Sequence, residues 1–388
     1  MPMYETDDIV EQKKREKRKK NLIRFIIILF LLIIAAVIYI TSELWLPKLR
    51  GLGKQYTTIV NDGRLAEGNF PIEITDSEDF QLDCTGKMLC VLSDASIYFY
   101  SEEGGLIKRR QHAYANAIMD SVNDKVLLYE SGGYRFSVED RNGIIYSKTL
   151  NENIMLVRLS AEGYTAVVTS SQDYDCEITV YDRDGKKIYE RKCVERVSDI
   201  NFVDESKGCV ISYIYAENGS LVTSVQEASF TEKNEKWTSP GLDTLGIETV
   251  GYSGGAAVIG IDACGYVDNS GNICSLYRYD GEFERGDCEN GKSAVIINSY
   301  ETRKYVAALF NGDGKEPIEI SFDTPLVDVI VQDGLAYIMS QDSVVAYDFE
   351  GGLRSTAQIS DSYKGFVRSE GYVFLKGYDT IDRINYES

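Results

Sequence analysis

Histidine is almost absent from this chain: His112 is the single one among 388 residues. A Ser/His/Asp triad needs an imidazole to move the proton, and His-based transition-metal sites need several, so conventional serine hydrolysis and such metal centres are excluded. No Cys-x-x-Cys pair and no Cys/His grouping occurs, which argues against zinc, haem c and thioredoxin chemistry. No P-loop is present and no Gly-x-Gly-x-x-Gly opens a helix after a strand, so nucleotide binding has no support. Proline is scarce at six residues, and beyond residue 46 no convincing amphipathic helix shows; the remainder reads as strands and turns.

What the chain does have is one long apolar run. Residues 25–41, FIIILFLLIIAAVIYIT, are uncharged, and adding Leu22, Ile23, Trp45 and Leu46 brings a helix to roughly the length a bilayer needs at 1.5 Å per residue. Lys13, Lys14, Arg15, Lys17, Arg18, Lys19, Lys20 and Arg24 precede it, whereas Glu43, Lys48 and Arg50 follow, a bias that predicts a cytoplasmic N-terminus. A cleaved signal peptide is the competing reading, but it would be shorter and end in a small-x-small site; here Ala35 and Ala36 sit mid-run and the run ends in Tyr39, Ile40 and Thr41. The expected organisation is a basic tail (1–24), a single-pass transmembrane helix (25–46), a link (47–69) and an extracytoplasmic domain (70–388). The lipid bilayer is the first expected partner, with the basic cluster resting on inner-leaflet headgroups.

The whole chain carries −20 and residues 1–24 carry +3, so the remainder holds −23. A domain this acidic gains no counterion-release entropy from a polyanion, which excludes nucleic acid as a partner. All eight cysteines lie in the expected exported part, where an oxidising exterior permits bridges. Cys176 and Cys193 are equidistant from Asp184-Gly185, so a two-residue hairpin there sets them face to face. Cys84 with Cys90, centred on Lys87, and Cys264 with Cys274, centred on Asn269, face each other only across loops of three or five residues. Cys209 and Cys288 have no local mate, and buried cysteine is also a small hydrophobe that can stay reduced.

From about residue 79 the chain returns to one unit of four strands. Its marks are the turns YSEEGGLI from Tyr100, EDRNGIIY from Glu139, YDRDGKKIY from Tyr181, DNSGNICSL from Asp268, FNGDGKEPI from Phe310 and YDFEGGLR from Tyr347. Their starts are 39, 42, 87, 42 and 37 residues apart, a period near 40 with one double step. Four strands per period of that length predict an all-β propeller in which each blade buries its faces against its neighbours. Units fall at roughly 79–111, 113–150, 153–193, 196–240, 242–280, 282–323, 325–360 and 363–388. The last holds only three plausible strands, and FPIEIT at 70–75 suits the missing fourth, because a ring left open would expose a strand edge. The expectation is an eight-bladed propeller closed by that strand, with seven blades as the alternative.

No Trp-Asp dipeptide marks WD repeats, and no docking Trp recurs from blade to blade as in quinone-type propellers. The layout of basic stub, one helix, short link and degenerate acidic propeller resembles an uncharacterised family of single-pass, membrane-anchored propeller proteins of Gram-positive, mostly anaerobic bacteria, related to WD40 and quinoprotein-like propellers in fold only. That resemblance implies no functional residues, since the family's function is itself unassigned.

Candidate chemistry is sparse. Asp182-x-Asp184-Gly185 and Asn311-x-Asp313-Gly314 resemble fragments of calcium loops, which gather oxygens on a hard cation. The full loop with its distal Glu is missing, and hairpin turns use the same residues, so no cofactor is expected beyond this weak calcium option. His112 falls between two units and reads as structural. Most of the 27 tyrosines alternate within strands and read as packing. The resulting expectation is a non-enzymatic binding or assembly scaffold with a protein partner at the envelope. The alternative is a carboxylate- or metal-dependent enzyme acting on glycan or lactone-type substrates.

Overall fold

The computed structural model describes residues 59–61 and 69–385, apart from 78, 204, 233, 234, 361 and 370. The tail and the apolar run at 25–46 lie outside the described residues. What is described of the ring divides into eight sheets, each built on antiparallel strands that follow one another from the inside outward. Blades 1 to 8 span 81–111, 117–149, 154–193, 196–238, 246–278, 281–322, 326–358 and 365–385. The upper face is formed by the loops between second and third strands and the links between blades. The lower face is formed by the first–second and third–fourth hairpins.

The strand sequences explain the layering. Second and third strands are nearly continuous apolar runs, such as MLCVL at Met88–Leu92 and TAVVTS at Thr165–Ser170, and they are buried on both sides. Fourth strands alternate, as LIKRRQ at Leu106–Gln111 does, and face solvent. A sheet covered on both faces in its middle and wet at its outer edge fits between two like sheets. The core accordingly lies between blades. Leu127, Phe136 and Val138 of blade 2 meet Ile154, Val157 and Val167 of blade 3. Ala294, Ile296 and Leu309 of blade 6 meet Leu326, Val329 and Ile338 of blade 7.

Closure follows the expected route. Ile72–Glu73 pairs antiparallel with Thr380–Asn385, Ile72 opposite Ile381, and so supplies the fourth strand of blade 8. Ile72, Ile74, Phe374 and Ile381 then pack on Leu89, Val91 and Tyr98 of blade 1, and the first strands of blades 8 and 1 touch. Eight blades, not seven, complete the ring. The N-terminal strand passes so near the outer turn of blade 1 that only glycine fits there. Gly104 has φ +78°, and a Cβ on it would lie 2.8 Å from the Asn69 carbonyl, while the Asn69 N–H donates to the Glu103 carbonyl at 2.9 Å.

Two features differ from the reading of the sequence. Ile59–Asn61, inside the expected link, pairs in parallel with Leu353–Gln358 and makes blade 7 five-stranded. An outer strand presents unpaired backbone groups that a passing β-prone segment satisfies. Blade 4 explains the double step in turn spacing. Its second and third strands are ten residues each, and its fourth is reduced to Trp237–Thr238 without a Gly turn before it.

Ile72→Ala, at the closing seam, should lower unfolding free energy by about 2–5 kcal/mol, whereas Leu221→Ala on the surface should change it by less than about 0.5 kcal/mol. Guanidinium unfolding followed by circular dichroism measures both.

Candidate functional site

Eight first strands line the central channel, and a carboxylate recurs on them. Asp83, Asp120, Asp199, Glu248, Asp287 and Asp328 occupy blades 1, 2, 4, 5, 6 and 7, with Arg158 on blade 3. First strands of neighbouring blades splay apart and cannot form a backbone ladder, so their facing N–H groups need another acceptor. The carboxylates supply it. Leu159 N–H donates to Asp120 Oδ2 at 2.8 Å, Thr249 N–H to Asp199 Oδ2 at 2.9 Å, and Val331 N–H to Asp287 Oδ2 at 2.6 Å. The Phe366 N–H reaches Asp328 Oδ2 at 3.4 Å, and the Ser121 hydroxyl donates to Asp83 Oδ2 at 2.7 Å. In every case the acceptor belongs to one blade and the donor to the next. Gln81 works the same way with both ends of its amide, donating to the Ala117 carbonyl at 2.8 Å and accepting from the Met119 N–H at 2.9 Å.

Arg158 and Asp199 form an ion pair at 2.9 Å inside the channel wall. Burial pushes the carboxyls up: Asp83 and Asp328 to about 6, and Glu248 to about 8, with the charges of Asp287 and Asp199 adding to the effect at Glu248. Asp120, Asp199 and Asp287 are raised by burial as well. Glu248 makes no hydrogen bond among the described residues, which leaves nothing to offset its desolvation.

Two cavities open on the channel. One of about 360 Å³ on the upper side is lined by Gln81, Asp83, Arg285, Asp328, Lys364 and Lys376. The other, of about 410 Å³ on the lower side, includes Thr85, Asn123, Glu289, Gln332 and Arg368, and Asp83 borders both. The acids are spread around the ring, and among the described residues no group of three or more His, Cys, Asp or Glu side chains stands close enough to hold a metal ion.

The residues singled out in the sequence are not brought together. Asp182 Oδ1 accepts from the N–H groups of Asp184 and Lys186 at 3.0 and 2.8 Å, within its own turn. Asp313 accepts from the Lys315 N–H at 3.2 Å and pairs with its ammonium at 2.6 Å; both Asn311 and Asp313 lie on blade 6, away from the blade 3 turn. His112 meets the Ser93 carbonyl through Nε2 at 3.0 Å, between blades 1 and 2. Cys176 stands directly opposite Cys193 in the ladder and both are buried, a hydrogen bond from the Cys193 thiol holding Cys176 below the usual thiol range. Cys84 lies opposite Leu89 while Cys90 lies opposite Asp83, so Cys84 and Cys90 point to opposite faces of the sheet. Cys264 is buried opposite Tyr277, whereas Cys274 is the exposed bulge residue of the outer strand. All eight sulfurs are free thiols.

The upper face carries what reasoning from the sequence missed. Tyr134, Tyr174, Ile261, Tyr300 and Tyr378 occupy the second–third loops of blades 2, 3, 5, 6 and 8, and Val194 the link from blade 3 to 4. Tyr300 and Tyr378 are 70 % and 67 % exposed. Lys364 sits 3.5 Å above the Tyr378 ring and Lys192 5.2 Å from that of Tyr174, so these rings already present faces to cations. The available signal was position: these tyrosines follow short polar turns (SGGY, SQDY, KGY) and sit outside the alternating runs.

Asp199→Ala should cost about 3–5 kcal/mol by stranding the Arg158 charge, and Asp199→Asn less because an oxygen remains for Thr249 N–H; denaturant midpoints decide. The folded-state value of Glu248 stands above its unfolded one, so its contribution favours the fold at low pH and is lost as pH rises through about 8. Melting temperature should therefore fall between pH 6 and 9, and Glu248→Gln should flatten that fall while changing little at pH 5.

No curated protein sequence matches the chain. Among solved structures, the computationally designed Ika8 protein superposes with a TM-score of 0.63 at 11 % identity, covering 83 % of this chain and all of that one. BamB from Moraxella catarrhalis gives 0.55 at 13 % identity over 83 % of this chain and 98 % of its own. The C-terminal WD40 domain of Sif2 gives 0.58 at 10 % identity over 83 % and 100 %. Identities this low establish the fold alone, that of WD40- and BamB-like propellers. Residues 67–245, the stretch that holds the closing strand and blades 1 to 4, match the model of a family of unknown function, DUF5711.

Proposed function

We propose that residues 25–46 hold the chain in a membrane with its N-terminus inside, and that the propeller outside binds a protein partner through its upper face as an envelope scaffold. The observation that carries this reading is the set of exposed aromatic loops, Tyr134, Tyr174, Tyr300 and Tyr378, arranged around one face of a closed ring. Tyrosine offers a large contact area and a polar tip for little entropy, which suits protein recognition. The channel acids favour the same conclusion by their occupation: five of six accept hydrogen bonds from the next blade. Support for the anchor is the composition of the run and its charge bias. The fold likeness to solved propellers supports the rigid disc.

One observation favours the enzyme reading. Asp83 and Asp328, both raised to about 6, line one cavity with Arg285, a setting in which one acid can be protonated and the other charged.

Cross-linking with mass spectrometry on intact cells, comparing the full chain with a variant carrying Tyr→Ser at 134, 174, 300 and 378, separates the two. A partner captured by the wild type and lost from the variant supports the scaffold. Identical capture by both removes the upper face as the binding surface, and turnover of a glycan or lactone abolished by Asp83→Asn supports the enzyme.

A further inference from the structure

Cys176 opens the third strand of blade 3, Cys193 closes its fourth, and the register sets the two directly opposite each other. Residues so placed in an antiparallel ladder have Cα atoms about 4.5–5.5 Å apart, inside the span of about 4.4–6.8 Å that a disulfide accepts. Among the described residues no other cysteine faces a cysteine across a ladder. Cys209 faces Ala228, Cys264 faces Tyr277, and Cys288 faces Ser293.

Buried cysteine also serves as a small hydrophobe, and Cys209 shows that use in the same core between blades 3 and 4, where burial pushes its thiol up to about 12. The opposed pair is built differently. Cys176 Sγ accepts from the Cys193 thiol and from the Val197 N–H, which hold it below the usual thiol range against its burial. The Cys176 thiol in turn has an acceptor 3.6 Å away, the Glu195 carbonyl. Cys193 is pushed up by the same thiol contact and by burial, and its sulfur also meets the Tyr213 hydroxyl. One sulfur is thus the readier thiolate while the other keeps its proton, an asymmetry that thiol–disulfide exchange uses.

We propose that Cys176 and Cys193 form a disulfide by exchange with an external disulfide, and that this bridge fastens the outer strand of blade 3 where the chain crosses to blade 4. The Cys176 thiolate attacks one sulfur of an external R–S–S–R, forming a Cys176–S–S–R mixed disulfide and expelling RS⁻. The Cys193 sulfur, its proton lost to solvent, then attacks Cys176 Sγ, which closes the bridge and expels the second RS⁻. Two protein thiols are oxidised and one external disulfide is reduced to two RSH, which take up the two protons. Both sulfurs are buried in one core cluster with Val197 and Tyr213 of blade 4, so exchange proceeds before blade 4 docks. An oxidising exterior supplies such disulfides. The bridge follows from the ladder and stands whether or not residues 25–46 cross a membrane.

Refolding the reduced full chain in detergent with equimolar reduced and oxidised glutathione tests this, free thiols being alkylated afterwards and the peptides mapped by mass spectrometry. The bridged Cys176–Cys193 peptide should exceed the dithiol form at least about tenfold, since structural disulfides resist reduction by a glutathione pool. The other six cysteines should be alkylated. Cys193→Ser should leave glutathione attached to Cys176, whereas Cys176→Ser should leave Cys193 alkylated. The bridged chain should melt about 3–6 °C above the reduced one, and either variant should remove the difference. Alkylation of both cysteines in the refolded wild type, a bridge from either to another cysteine, or the reverse pattern in the two variants overturns the proposal. The wild-type map decides even where a variant does not fold.

Discussion

Each blade is a sheet that cannot finish its own hydrogen bonding on the inside, because the first strands diverge toward the axis and no ladder can span the gap. The structure meets that constraint with side chains: a carboxylate or amide on one first strand accepts from the backbone or hydroxyl of the next. Asp120, Asp199, Asp287 and Asp328 follow one pattern, with Asp83 and Gln81 as variants. Apolar packing between blades supplies most of the favourable free energy, being non-directional and proportional to area. The carboxylate ties add direction, fixing how far one blade slides on the next. Their cost is desolvation, visible in the raised values of the whole ring.

That cost bears on function. A carboxylate used to hold a neighbouring backbone in place is a poor candidate for moving with a substrate, since releasing it strands a buried N–H. Glu248 is the exception, a buried acid without such a bond, and its unrelieved desolvation makes it the group most responsive to pH in the physiological range. The channel wall is thus held by its own charges, which serve the closure of the ring.

The architecture was legible because its signals are local and repeated. Turn glycines near a 40-residue period placed all eight units within a few residues, and the three-strand deficit at 363–388 pointed to the closing strand at 70–75. Cys176 stands opposite Cys193, as counting about Asp184-Gly185 predicts, although the turn is the five-residue stretch 182–186 followed by a bulge and not a two-residue hairpin. Counting failed at Cys84 and Cys90, where the turn is centred half a residue away and reverses the face, and at Cys274, which a bulge pushes outward. The acid ring was hidden by abundance. With 61 carboxylates in the chain, one acid near the middle of six of the eight first strands (LDC, MDS, SDI, IET, GDC, VDV) shows only once the strands are aligned as layers around an axis. The exposed tyrosines were hidden by their own kind, since Tyr98, Tyr129, Tyr213, Tyr266 and Tyr337 are buried as expected.

Charge is distributed by radius and by sector. Acids line the axis, where neighbouring backbone satisfies all but Glu248; seven cations lie on three outer strands; and the upper loops set their aromatic rings among carboxylates such as Asp173, Asp175, Asp262, Glu301 and Asp379. Solubility explains an acidic balance and edge protection explains cations on outer strands, while exposed aliphatic side chains follow the outer turns of blades 1, 2, 3, 5 and 7 alike. Each set of charges therefore serves the strands it sits on: the axial acids take up the N–H groups that no ladder reaches, and the outer cations keep the exposed edges from pairing with another chain.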